Sequence, residues 1–472
     1  MGGILENLNP FLTHTHASPR DRYEQGRSKR ESVPIESHAE SPTDPDRPDP
    51  LKILQQQNLD QKRVEQLIPL RFGRMSYSPF TYLRGAAAVQ ASDLSRDPRT
   101  DLWVELCGDA HLGNFRWFNC PDRKPVFDLN DFDETLPGPF EWDVKRLAAS
   151  ITVAARIGGF TKKKCQAATR AAVREYREAM IAASELNPLD LFYYRFRAED
   201  ALEKVARQGD KHRRWKENVL AKAARKNSMR ALNELTELVD GRRVIVPDPP
   251  RTFRIDEELA SRQWEEISQF YESYKQSLPL DRRVLLDQFW LVDVARKVVG
   301  VGSVGTRCLI VLLESNDGTP LFLQFKQATK SVLEQYLGNS VFENSGQRVV
   351  EGQRLIQATS DMFLGWSRWK DSDGKEVDFY FRQLWDGKGK ICAEELGPSR
   401  LALFAELCGK TLAYAHARSG DAMLIRGYIG EDETFDDVLT EYADRYADCT
   451  WADHAQLESA IQDGQIEVVK DL

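Results

Sequence analysis

The chain has 472 residues, 41% of them hydrophobic and 29% charged, with a formal net charge of -8. That length allows two to four domains, or two lobes with insertions, at roughly 100–200 residues per domain. The mildly acidic balance excludes nucleic-acid binding driven by overall charge. The seven cysteines are scattered and odd in number, with no CxxC pair, which excludes a disulfide framework and a structural zinc site and points to a reducing cytoplasm.

Residues 1–50 are polar and rich in Ser, Pro, Arg and Asp, so the expectation is a flexible segment, His14 and His16 included. The start lacks a basic region followed by a long apolar stretch, and no run reaches the ~18 apolar residues of a membrane helix. It also lacks Ser or Thr at the sixth position for myristoylation. The expectation is a cytoplasmic chain with no membrane partner.

From Leu51 to about Gln90 the pattern is helical. WVEL, from Trp103, suits a short buried strand, NCPDRK a turn, and PVFDLND a second strand. A long helix follows PGPFEW and ends at Gly158-Gly159. Residues 160–235 read as mostly helical, with the basic run KVARQGDKHRRWKENVLAKAARKNSMRAL best read as a solvated face. Prolines in VIVPDPPRTFRI place a boundary within 240–285. Beyond Asp287, CLIVLLE and LFLQFKQA are strands joined by the SNDG turn. KSVLEQYLG and RVVEGQRLIQATSDMF read as helices, VDFYFRQLWD as a strand, and LALFAELCGKTLAYAHARSG as a helix.

Two constellations carry chemistry. In the first, Asp109 and Asn114 stand five residues apart in GDAHLGN, followed by Asp131 and Asp133 in NDFDE. Phosphoryl transfer from ATP needs one carboxylate to orient or deprotonate the attacking hydroxyl. It also needs a carboxylate and an amide oxygen to hold Mg2+ against the phosphates. The pattern assigns Asp109 as base, Asn114 and Asp131 as metal ligands, and Asp133 as a further metal-side carboxylate. His111 is expected to be hydrogen-bonded within its loop, and Arg146 to brace it. Trp103, Trp117 and Trp142 are expected in the core.

The second constellation is GVGSVG, with Gly300, Gly302, Ser303 and Gly305. A GxGxxG alone fits either a dinucleotide-binding helix or a phosphate-covering hairpin. Here a β-rich stretch follows, which favours the hairpin and argues against NAD. Lys326 in the next strand is placed to contact nucleotide phosphates, and Glu351, or else Glu334, is expected to pair with it. Arg71, Arg74 and Arg84 are weaker candidates for phosphate contacts.

GDAHLGN resembles the GDxHxGN loop of aminoglycoside and choline kinase-like phosphotransferases, NDFDE their metal-binding segment, and WDVKRLA the segment that closes that region. Cys107 stands where those families usually carry a His. The whole chain also resembles a mainly bacterial family, domain of unknown function 2252, through stretches such as RFGRMSYSPFTYLRGAA, CGDAHLGNF, FDLNDFDETLPGPFEWDVKRLAAS, VVGVGSVGTR and LAYAHARSGD between about residues 20 and 430. That resemblance implies a protein-kinase-like fold and names no substrate.

An ordinary kinase runs from glycine loop to catalytic Asp, whereas this chain has the reverse order. Circular permutation accounts for it, because domain termini often lie close together. The sequence therefore predicts an α+β, bilobal, protein-kinase-like fold, circularly permuted and with extra helices. Residues 51–285 are expected to form a helical catalytic lobe and 286–390 a β-rich nucleotide lobe, with 391–472 returning to the first lobe. The expected cofactors are ATP and Mg2+, the expected partner a small-molecule acceptor, and no nucleic acid. AMP transfer, or a catalytically silent nucleotide- or partner-binding module, are the competing readings. The permuted reading requires Lys326 and Asp131 to face one cleft.

Overall fold

In a computed structural model of the chain, residues 17–40, 46–197, 228–254, 257–298, 300–370, 375–384 and 391–470 are described. Helix α1 (Pro19–Ser32) starts at Ser18, whose hydroxyl accepts the Asp21 amide. The region expected as one helical pattern breaks into four helices: α2 (Pro50–Asp60), α3 (Ile68–Met75), α4 (Pro79–Gly85) and α5 (Ala87–Leu94). Each except α5 has proline in its first turn, where the missing amide costs no hydrogen bond. Ser78 and Thr81 close a reciprocal capping box on α4.

Two small antiparallel ladders follow. Strand β1 (Trp103–Leu106) pairs with β4 (Leu136–Pro139), and β2 (Phe115–Asn119) pairs with β3 (Pro125–Leu129). Helix α6 (Glu141–Ile157) runs through the middle of the helical part. It is buried along all but its last two residues, because α7 (Lys162–Ser184), α14 (Pro398–Ser419) and α16 (Thr434–Gln462) pack around it. It nonetheless carries charges, and each has a partner, as buried charges must. Glu141 accepts from Thr100, Lys145 donates to Asp97 at 2.6 Å, and Arg146 donates to Asp109. Helices α8 (Pro188–Tyr193) and α15 (Ala422–Ile429) complete this part.

The remainder is built on a six-stranded, wholly antiparallel sheet in the order β11-β12-β10-β9-β8-β7. Its strands are β7 (Thr252–Arg254), β8 (Phe289–Lys297), β9 (Cys308–Ser315), β10 (Pro320–Ala328), β11 (Gly365–Lys370) and β12 (Glu376–Gln383). Around it lie α9 (Ser228–Leu235), the hairpin β5 (Thr236–Val239) and β6 (Arg242–Ile245), and helices α10 (Glu257–Gln276), α11 (Leu280–Leu286), α12 (Glu334–Leu337) and α13 (Ser345–Ile356). Alternation along the strands separates two faces. Leu323, Phe325, Phe379 and Phe381 join Phe270 and Tyr274 of α10 in one apolar cluster. Lys326 lies opposite Tyr380 and Cys308, and Gln324 opposite Arg382, so the other face carries a polar patch.

Several expectations are corrected. Within residues 1–50, residues 19–32 are helical and packed rather than loose. The polar composition hid this because α1 docks on α15 through close backbone approach and not through a broad apolar stripe. A Cβ on Gly26 would collide with the Leu424 carbonyl, and one on Gly427 with that of Tyr23. The sheet begins at Thr252, well before residue 286, since the proline-rich turn leads into a short edge strand that needs hydrogen bonds on one side only. KSVLEQYLG supplies only the four-residue α12, and LPGP, read as loop, pairs with WVEL. Residues 198–227, which hold most of the basic run, and His14 and His16 lie outside the described residues. All seven cysteines are free thiols, and no described helix is long and apolar enough to cross a membrane.

If α1 is held by that close crossing, Gly26→Val costs about 1–3 kcal/mol by overpacking. The expected outcome is a lower thermal midpoint and faster proteolysis within residues 19–32, measured by calorimetry and limited digestion. A surface change in the same helix, Glu24→Gln, leaves both unchanged.

Candidate functional site

Strand β1 delivers the chain into the loop 107–114. Gly108 has φ of 79° and faces the backbone of Glu134, so a side chain there meets both strain and a clash. Asp143 of α6 accepts the amides of Cys107 (2.7 Å) and Gly108 (3.0 Å) on its two oxygens. His416 of α14 sits behind it, with Nε2 3.4 Å from Asp143 and Nδ1 2.9 Å from the Tyr176 hydroxyl. A chain of polar contacts from three helices thus fixes the loop.

Arg146 donates from Nε (2.9 Å) and Nη2 (2.6 Å) to Oδ1 of Asp109. Oδ2 lies 3.6 Å from Nε2 of His111. Nδ1 of His111 accepts the Gly113 amide at 2.9 Å, so its proton belongs on Nε2, facing Asp109. Asn114 donates through Nδ2 to the Asp109 carbonyl at 2.5 Å, and its own carbonyl accepts the Asn130 amide at 2.9 Å. That last bond ties the first loop to the second.

The second loop, 130–135, meets the sheet. Lys326 is 2% exposed, its Nζ bonded to Oδ2 of Asp133 and 3.7 Å from Oδ1 of Asp131. The Tyr380 hydroxyl donates to Oδ1 of Asp133 at 2.8 Å. Arg382 donates to the Asn130 carbonyl (3.1 Å) and to Gln324 (3.0 Å). Arg348 of α13 donates to the carbonyls of Asp133 (2.7 Å), Thr329 (2.9 Å) and Thr135. Residues 193 positions apart in sequence are therefore in contact.

The glycine turn joins the same cleft from above. Gly300, Gly302 and Ser303 line it together with Asp109, Asn114, Asp131 and Asp133. The turn is held by the helical part. Arg63 donates to the Val304 carbonyl, the Val64 amide to that of Gly305 (2.8 Å), and Arg74 to that of Gly300 (2.7 Å). Strand β9, not a helix, follows the glycines, so no helix N-terminus is offered to a dinucleotide pyrophosphate.

Electrostatics separate the carboxylates. Burial pushes Asp109 up to about 6, against Arg146 and with help from Asp131. Burial also works against charge on Asp131, but Lys326, Arg382 and Arg116 outweigh it and hold its pKa below the ordinary value. Burial opposes the charge of Lys326, yet Asp131 and Asp133 raise its pKa. His111 is driven well down by burial and by three nearby arginines, and is neutral. Burial brings Glu134 up to about 7.

Asp109, Asn114, Asp131, Asp133, Gly300, Gly302 and Ser303 line one cleft, and Lys326 reaches it through residues 131 and 133; Gly305, packed against Arg63 and Val64, does not line it, and Glu351 and Glu334 do not join Lys326. Glu351 pairs with Arg354 at 2.9 Å, and Glu334 lies 3.8 Å from Arg348. The physical reason is that α13 turns Arg348, not a carboxylate, toward this loop, and Lys326 takes its counter-charge from residues 131 and 133. Arg71 is no ligand-facing group either. It is fully buried on Gln57, Asn58 and the Gly85 carbonyl. Asp143, His416, Arg348, Tyr380 and Arg116 were not picked out as site residues. WDVKRLA and LAYAHARSGD contain the first two, but nothing in sequence shows that they meet.

The chain belongs to a family described as "Uncharacterized protein conserved in bacteria (DUF2252)", whose model matches residues 63–460 and so spans every site residue named above. No curated protein and no solved structure matches it.

Because Asp109 holds its proton more tightly folded than unfolded, its ionisation falls in an accessible range. A carboxyl NMR titration is expected to place it near 6. Arg146→Met removes the stabilising cation and moves the midpoint up. Asp131→Asn removes a like charge and moves it down. A midpoint near the ordinary carboxylate value in the unmodified protein contradicts the arrangement.

Proposed function

We propose that the cleft is the site of a Mg-ATP-dependent phosphotransferase of protein-kinase-like, circularly permuted and bilobal architecture, acting on a small hydroxyl-bearing acceptor in the cytoplasm. The observation that carries this reading is the 3.7 Å approach of Lys326 to Asp131, a residue that lines one cleft with Asp109, Asn114 and the glycine turn. These are the parts such a transfer needs, since catalysis of it is mainly positioning and charge stabilisation. The reversed order of the two segments is what permutation produces. The coarser architecture, a mixed α+β chain with a six-stranded sheet, accommodates it.

Among the described residues no cluster of three or more His, Cys, Asp or Glu side chains is arranged to hold a metal ion. Mg2+ does not require one, since it is commonly bound by one or two protein oxygens, water and substrate phosphates. The donor set fits that mode. Oδ1 of Asp131 is buried with no hydrogen-bond partner, and the side chain of Asn114 donates from its amide nitrogen, leaving the oxygen for the cleft. Asp133 is engaged on both oxygens by Lys326 and Tyr380, so its part is to place Lys326. When bound, Mg2+ supplies neutralisation of phosphate charge.

The remaining roles belong to the chain. Lys326 is held for the nucleotide phosphates, and the amides of the glycine turn cover them. Asp109, with Oδ1 fixed by Arg146, keeps Oδ2 for the acceptor hydroxyl and takes its proton. A base with a pKa of about 6 is ionised at neutral pH, so turnover is expected to fall as pH drops below about 6.

The test is Mg-ATP binding by calorimetry with the unmodified protein, Asp131→Asn and Lys326→Met. Binding is expected in the unmodified protein, with at least tenfold loss in each variant and on chelation of the metal by EDTA. Product analysis showing ADP supports phosphoryl transfer, and AMP points to nucleotidyl transfer. No binding, or binding indifferent to both variants, overturns the reading.

A further inference from the structure

The cleft contains more guanidinium donors than its internal bonds use. Arg146 bonds Asp109, Lys326 pairs with Asp131 and Asp133, Arg382 bonds Asn130 and Gln324, and Arg63 bonds Val304 and Gln61 through its two terminal nitrogens, leaving only its Nε unpartnered. Two guanidinium groups are left over. Arg84, at the end of α4, makes no hydrogen bond or ion pair among the described residues, and its Nε is buried without a partner. Among the described residues Arg116, on β2, bonds only through Nε to the Gly113 carbonyl at 3.2 Å. Both line the cleft beside Asp109 and Asn114.

Asp109, Asp131 and Glu394 act on Arg84 through charge, and Asp131 on Arg116, but no described carboxylate bonds either guanidinium, and a guanidinium presents planar pairs of donors suited to a phosphate. The surroundings keep Arg84 in place. Gly113 has no side chain, and a Cβ there would lie 3.5 Å from Nε of Arg84 and 2.9 Å from the His111 ring. The Arg84 carbonyl lies 3.1 Å from where a Cβ of Gly302 would be, so Arg84 sits under the glycine turn. Arg84 also lines a second pocket with Phe80, Thr81, Gly113 and Ile391 to Glu395.

We propose that Arg84 and Arg116 form a phosphate-binding subsite at the Asp109 end of the cleft, distinct from the Lys326 end. This rests on the phosphotransferase reading for its role but not for its existence. Two sources present the same chemistry: the phosphate being transferred, or a phosphate already carried by the acceptor.

The experiment uses the full chain and inorganic phosphate, without nucleotide. Calorimetry is expected to show saturable phosphate binding that weakens at least tenfold in Arg84→Gln and in Arg116→Gln, while the exposed and distant Arg99→Gln changes nothing. Should either variant misfold, phenylglyoxal modification of the unmodified protein replaces it. Phosphate is expected to protect residues 84 and 116, mapped by mass spectrometry. With phosphate bound, displacement by a non-hydrolysable ATP analogue, but not by ADP, assigns the subsite to the transferring phosphate. Simultaneous binding of phosphate and the analogue assigns it to a phosphorylated acceptor. Absence of phosphate binding, or affinity and protection indifferent to both arginines, overturns the proposal. Phosphate binding in a chain that fails to bind ATP leaves the subsite standing and removes only the phosphotransferase role.

Discussion

A lysine buried at 2% exposure must be matched by negative charge, and that requirement organises the site. Lys326 projects from the middle of the sheet and finds its carboxylates on a loop of the helical part. Breaking a buried pair by removing one member typically costs about 3–5 kcal/mol, which sets the scale on which sheet and loop are coupled. Tyr380 and Arg382 flank the lysine on β12, and Arg348 approaches from α13, so the polar face of the sheet is bound to residues 130–135 at several points.

The opposing loop is fixed from behind in a different way. Asp143 holds the backbone of residues 107 and 108 while Arg146, one turn further along α6, holds the Asp109 side chain. Both belong to a helix enclosed along nearly its whole length, where charged groups survive only through such contacts. Cys107 adds a thiol contact to the Asp131 carbonyl at 3.1 Å. The position that resembles a histidine site in related motifs is thus occupied by a small buried side chain, while His416 approaches Asp143 from α14.

How much of this could be read from the sequence follows from whether the information was local. Asp109 to Asn114, the NDFDE loop and the glycine turn are short patterns whose spacing marks them as candidates, and strands such as CLIVLLE and LFLQFKQA declare themselves by composition. The partner of Lys326 did not. A glutamate on the next helix is the usual expectation, but helix rotation decides which residue faces inward, and here it is Arg348. Helix α1 was missed because its contact is made by glycine and backbone, which leave no apolar periodicity. Arg84 was one of three arginines that the sequence offered for phosphate contacts. Arg71, thirteen residues earlier, looks similar in sequence yet is consumed by internal carbonyls, and only three-dimensional accounting separates the two.

The claim on which the rest depends is that Lys326 and the 131–133 loop serve one nucleotide site. It is tested most directly by labelling with an acyl-phosphate derivative of ATP, which transfers its acyl group to a lysine beside the bound phosphates, followed by peptide mapping. The account predicts acylation at Lys326, suppressed by excess Mg-ATP and lost in Asp131→Asn. Acylation of other lysines alone, or labelling of Lys326 that excess Mg-ATP does not suppress, contradicts it.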